Sequence, residues 1–182
     1  MRNIFQLSLM VMIFFGSLAA ESFPPQYRAG ESNLVLNGIG LRKKMFFKIY
    51  QAGLYLPKKS QNFRQIIQAD EPMIIRMVFI YDEVEKEKLI GAWNEGFEKS
   101  TDGKTTPLKP SIDQFNACFS RSAFKDDVYD LIYLPQEGVK VIMNDTLKAT
   151  IPGLNFKKAL WGIWLGDKPV ENNLKEGMLD VD

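Results

Sequence analysis

Histidine is absent from the 182 residues, and cysteine occurs once, as Cys118. Without imidazole there is no Ser/His/Asp triad, no Cys/His pair, no His-ligated zinc and no side chain poised to switch near neutral pH. A single cysteine forms neither a disulfide within the chain nor a CxxC pair. An excess of one charge is missing too. The 23 basic side chains stand against 22 acidic ones, so the chain has no footprint for nucleic acid. Gly38-Ile39-Gly40 lacks the third glycine and following helix of a phosphate loop, and no other cofactor motif is evident. Chemistry therefore falls to Arg, Lys, Tyr, Asp or Glu.

What is present is an ordinary globular balance, 46% hydrophobic and 25% charged, sized for one domain. Met1-Arg2-Asn3, the apolar run from Ile4 to Phe15 and the small residues Gly16, Ser17, Ala19 and Ala20 have the three parts of a secretory signal peptide. The run falls short of the roughly 20 residues that span a bilayer. Residues 1–20 are thus expected to be removed after Ala19 or Ala20, leaving no stable membrane anchor. The expected destination is outside the cytoplasm, in a bacterial periplasm. Residues 21–32, with Pro24-Pro25 and no apolar period, are expected to be a mobile lead-in. The folded domain is expected at 33–182. Cys118 reads as a packed small hydrophobe.

Strands are expected at Asn33 to Asn37, Met45 to Leu56 and Met73 to Tyr81, the second with Gly53 at a bend. Gly38 and Gly40 serve either special backbone angles or a close approach. Ser60 is placed to cap a short helix carrying Phe63, Ile66 and Ile67. A helix beginning near Asp82–Glu85 carries Leu89, Ile90, Trp93 and Phe97 on one face. An amphipathic stretch with Ile112, Phe115 and Phe119 follows. Then come strands Val128 to Leu134, Val139 to Met143 and Thr146 to Ile151, with Asn144-Asp145 as a hairpin turn. A helix carrying Phe156, Ala159, Leu160, Ile163 and Trp164 ends at Gly166. This order predicts an α+β fold, not a doubly wound parallel sheet.

Five side chains stand out as candidates for binding a ligand. Arg42 follows the glycine pair and precedes an apolar strand, where a guanidinium can hold a carboxylate through two parallel hydrogen bonds. The plain alternative is a surface arginine in the basic run Arg42-Lys43-Lys44. Tyr81 closes a strand just before a helix and can donate into a pocket there, or sit at the core rim. Tyr50 and Tyr55 are equivalent cases on the preceding strand. Lys88 can face the same junction, or be solvated within Glu85-Lys86-Glu87-Lys88. The helix with Phe156, Trp161 and Trp164 either walls a cavity or is ordinary core.

The stretches Leu36-Asn37-Gly38-Ile39-Gly40-Leu41-Arg42 and Phe47 to Leu56, then Tyr81 with the helix reaching Trp93, and finally Ile151-Pro152-Gly153 through Val170, together resemble the chalcone isomerase-like family. They are most similar to its exported bacterial branch, over roughly residues 33–178. The resemblance implies an open-faced β-sandwich, a large antiparallel sheet covered on one face by helices, with a ligand cleft between the layers. In the plant chalcone isomerases, ring closure of a chalcone to a flavanone uses an arginine, a threonine, a tyrosine and an asparagine. The arginine position matches Arg42 and the tyrosine position matches Tyr81. The threonine falls on Tyr50, the asparagine on Lys88, and a further threonine on Ile163. The loop after Arg42 is shorter as well. Losing polar positioning groups costs a catalyst its orientation advantage. Relatives that bind fatty acids without catalysis keep an arginine and a tyrosine for the carboxylate.

The resemblance therefore implies a non-catalytic, exported binder of a small amphipathic anion, a fatty acid or an aromatic acid, without a cofactor. The alternatives are an isomerase or intramolecular lyase using Arg42 with Tyr81 or Lys88, and an envelope interaction module without a ligand. An isomerase base at Lys88 needs a depressed pKa. The interaction module needs a cleft filled by Trp93, Phe97 and Trp164.

Overall fold

A computed structural model describes residues 22–181; the expected signal peptide lies outside them. The expected α+β architecture is present. One antiparallel sheet holds seven strands in the order β1 (Gln26–Ala29), β2 (Ser32–Lys44), β3 (Phe47–Leu56), β4 (Met73–Phe79), β7 (Val128–Leu134), β8 (Gly138–Met143) and β9 (Thr146–Ile151). Two short strands, β5 (Glu83–Val84) and β6 (Ala123–Phe124), pair apart from it. The helices are α1 (Phe63–Gln68), α2 (Lys86–Ser100), α3 (Lys109–Ala117), α4 (Leu154–Leu165) and α5 (Asn172–Leu179). Among the described residues no helix is long and apolar enough to cross a membrane.

The period-two alternation of the strands decides which face carries the helices. Tyr50, Ala52 and Leu54 on β3, Ile75, Met77 and Phe79 on β4, and Tyr129 and Leu131 on β7 all point into the main core. There they meet Leu89, Trp93 and Phe97 of α2, Phe115 of α3 and the buried face of α4. Phe156, Trp161 and Trp164 are core residues, each at most 1% exposed, as is usual for side chains burying so much area. The opposite face holds a smaller apolar group around Leu34, Tyr55, Ile74 and Ile132. Cys118 is buried, and burial raises its thiol pKa, as a packed hydrophobe requires.

Several boundaries differ from those expected. The lead-in is not loose. Residues Gln26–Ala29 pair antiparallel with β2, Phe23 is buried, and Arg76 Nε donates to the Ser22 carbonyl at 2.8 Å. Two prolines and a missing apolar period concealed an edge strand, the one strand position that tolerates nearby proline. The sheet thus begins at Gln26 and not at Asn33. Gly53 is no bend: it pairs with Ile39 on one side and Arg76 on the other, and Phe23 lies over the space its side chain would fill. The cap of α1 is Asn62, whose Oδ1 accepts from Gln65 N, while Ser60 Oγ accepts from Asn62 N.

β2 runs on through both glycines to Lys44, because α5 lies directly against it. A Cβ on Gly38 or Gly40 would collide with the carbonyl oxygens of Gly177 and Leu174, so close backbone approach is the reason for both. Asn37, 1% exposed, completes the seat. Its Nδ2 donates to the carbonyls of Ser60 (3.0 Å) and Met178 (2.9 Å), and its Oδ1 accepts from Ser60 N at 2.8 Å. A buried amide satisfied on both ends fixes position. The first residue before α5, Glu171, is thereby set beside Arg42.

Candidate functional site

A cavity of about 550 Å³ opens between the β2–β3 hairpin and α2, within the usual size range for small-molecule sites. Tyr50 and Phe79 line it from the sheet, Leu89, Trp93 and Gly96 from α2, Ile163 from α4, and Val170 from the connection to α5. Arg42, Lys44, Lys88 and Lys99 supply four basic side chains to its lining against two acids, Glu83 and Glu95. The space is apolar in depth and positively biased around its charged groups. Phe97 and Trp164 belong to the core beneath, so the aromatic helices do not fill the cleft.

Arg42, Tyr50, Tyr81 and Lys88, far apart in sequence, all border this one cavity. Arg42 is no freely solvated arginine: its side chain is 21% exposed. Its Nη1 donates to Glu171 Oε2 at 3.1 Å and to the Lys43 carbonyl. The Lys43 backbone N–H donates to the same Glu171 oxygen at 2.7 Å. Glu171 makes no side-chain cap for α5; its carboxylate is committed to Arg42 instead. Nε and Nη2 of Arg42 have no partner among the described residues, which leaves one side of the guanidinium fork open for an anion.

Tyr50 is the cross-strand partner of Arg42 and is buried. Its hydroxyl oxygen accepts from Trp164 Nε1 at 3.0 Å. Burial pushes its pKa up to about 12, against the smaller lowering effects of the Trp164 hydrogen bond and Arg42. It stays a neutral phenol whose hydrogen has no acceptor among the described residues. Tyr81 is partly exposed, held edge-on against Phe47 with ring centroids 5.4 Å apart. Tyr55 is elsewhere, on the opposite sheet face against Tyr27.

Lys88 borders the cavity but is solvated, with Nζ 2.9 Å from Glu85 Oε1. That hydrogen bond, reinforced by the charge of Glu85, raises the lysine pKa. The shift runs opposite to the one a base near neutral pH needs.

Other lining groups escaped the sequence reading. Ala92, Glu95, Gly96 and Lys99 continue from Lys88 along α2 at helical spacing, one strip beside the Leu89–Trp93–Phe97 core stripe. That periodicity was available in the sequence. The Glu171–Arg42 pair had no local signal, because its partners are 129 residues apart. Trp93 Nε1 is a further buried donor without an acceptor among the described residues. No group of three or more His, Cys, Asp or Glu among the described residues is placed to hold a metal ion.

The arrangement is suited to holding an amphipathic anion: open guanidinium N–H groups, a neutral phenol and apolar walls. Residues 16–180 match the sequence profile of the family described as chalcone isomerase-like. No curated protein matches the chain in sequence. Among solved structures, an Arabidopsis thaliana fatty-acid binding protein superposes with a TM-score of 0.69 at 18% identity, over 87% of this chain and 91% of that one. At that identity the likeness shows the fold.

Proposed function

The chain belongs to the chalcone isomerase-like family, and from that premise we propose that it is a non-catalytic binding protein for a small amphipathic anion, a fatty acid foremost. The observation that carries this reading is Arg42 held by Glu171 at the border of a cavity of about 550 Å³ with part of its fork open. The acid's carboxylate meets Nε and Nη2 of Arg42, the Tyr50 or Tyr81 hydroxyl donates to it, and the chain lies against Leu89, Trp93 and Ile163. The plant protein of the same fold, described as a fatty-acid binder, supports this choice of ligand. An export signal at 1–20 remains part of the reading.

Catalysis receives less support from the lining. Ring closure in the plant enzymes relies on polar groups where this chain has Tyr50, Lys88 and Ile163. Tyr50 sets a bulky neutral phenol, accepting from Trp164, at the threonine position, Lys88 is tied to Glu85, and Ile163 is apolar. Naringenin chalcone incubated with the protein is expected to yield racemic flavanone at the spontaneous rate.

Titration calorimetry with a long-chain fatty acid and the matching fatty alcohol tests the reading. The acid is expected to bind one to one. The alcohol is expected to bind on the order of tenfold to a hundredfold more weakly, for want of a charged hydrogen bond worth about 1.5–3 kcal/mol. Equal binding of the two, or of neither, overturns it.

A further inference from the structure

The β2–β3 hairpin tip exposes three consecutive large apolar side chains, Met45 at 82%, Phe46 at 93% and Phe47 at 54%. Isolated exposed hydrophobes are ordinary, but three together at a hairpin tip are not. Met45 adopts φ 56°, the left-handed region that glycine and asparagine occupy at little cost and a long side chain does not. A two-residue hairpin turn with positive φ at its first position alone ordinarily places glycine there. The sequence thus puts grease where the turn itself prefers glycine.

Around these residues stand Lys43, Lys44 and Lys48, all exposed, and none has an ion-pair partner among the described residues. Lys44 lies within electrostatic range of Glu95, which leaves Lys43 and Lys48 as the least compensated charges. Apolar residues that enter a headgroup layer, flanked by cations that meet anionic lipid, form the pattern of an interfacial membrane contact. The tip is also continuous with the site, because Lys44, Met45 and Phe47 line the cavity.

We propose that the β2–β3 hairpin tip docks onto an anionic lipid bilayer surface, its lysines on the headgroups and Met45-Phe46-Phe47 between them, bringing the cavity mouth to the membrane. Docking stands on the tip alone; the exchange of an acid with the bilayer rests on the reading of the cavity given above. Each basic side chain near an anionic leaflet adds about fivefold to affinity, and salt screens it.

The test uses the full chain with Phe46→Cys carrying an environment-sensitive fluorophore, so that the signal comes from the tip. Cys118 is buried with a raised pKa and competes poorly for the label. Vesicles of equal parts phosphatidylglycerol and phosphatidylcholine are expected to shift the emission to the blue. High salt is expected to reverse the shift, and pure phosphatidylcholine to produce none. Adding Lys43→Gln and Lys48→Gln should weaken the response about twenty-five-fold. Unlabelled Phe46→Ser should bind fatty acid in vesicle-free solution as well as the parent chain does. No shift with either vesicle, or equal shifts with both, overturns the proposal. So does a shift that grows with protein concentration alone, which would make a second copy of the chain the occupant. Docking without fatty-acid binding refutes only the cavity reading.

Discussion

Two cations, the partly exposed Arg42 and the buried Lys157, show how differently one charge can be used. Arg42 keeps its charge and part of its hydrogen-bonding capacity at the edge of a cavity, whereas Lys157 spends all of its capacity inside the fold. Lys157 is fully buried, and its Nζ donates to the carbonyls of Ile66 (2.9 Å), Ile67 (3.0 Å) and Ala69 (2.8 Å). These are carbonyls at the end of α1, which the short helix leaves unpaired. Arg42→Ala should weaken fatty-acid binding on the order of tenfold to a hundredfold, the worth of one charged hydrogen bond, as read by calorimetry. Burial, aided by Lys158, lowers the Lys157 pKa from 10.5 to about 8. Between about pH 8 and pH 10 the unfolded chain therefore holds more protons than the folded one, and stability should rise with pH. Groups raised by burial oppose this rise, the Cys118 thiol from about pH 9 and the phenols Tyr50 and Tyr129, both pushed up to about 12, from about pH 10. Urea melts across that window should show the rise in the parent chain and its loss in Lys157→Met. The sequence offered Lys157 only as one charge in a helix; its role needs a second helix end, 88 residues or more away, for explanation.

Among the elements, α5 decides where Arg42 points. It lies on β2 because Gly38 and Gly40 leave its backbone room, and its first turn brings Glu171 to the guanidinium. Gly40→Val should drive a side chain into the Leu174 carbonyl and cost about 3 kcal/mol, the upper range for overpacking, measured by denaturant unfolding. α2 supplies the facing wall. Ala92→Trp, at an exposed position bordering the cavity, should abolish fatty-acid binding while leaving the thermal midpoint within a degree or two, since no core contact is lost. These elements were unevenly legible. The strands β4, β7, β8 and β9 follow from apolar runs and from Asn144-Asp145, both at positive φ as a tight hairpin requires. Strand β1 and helix α5 carried too few apolar residues to declare themselves; pairing with β2 makes the first, and packing on its glycines the second. Tertiary contact overrides weak local signal in both.

In the whole molecule, the two layers divide the work. The sheet and helices pack solidly from Trp161 through Phe115 to Tyr133, and the end where the β2–β3 hairpin faces α2 is left hollow. Composition excludes histidine chemistry and a disulfide within the chain, and the order of motifs foretold the layers. The four candidate residues around one cavity became visible only in three dimensions, as did the charge that restrains Arg42. The account stands on an acid's carboxylate meeting that guanidinium. Carbon-13 resonance of a carboxyl-labelled fatty acid, titrated with pH on the full chain, measures this contact directly. A bound carboxylate that stays ionised to lower pH than the free acid, and loses that depression in Arg42→Ala, is the predicted result. A bound resonance that titrates like the free acid, or no bound resonance at one equivalent, would contradict it.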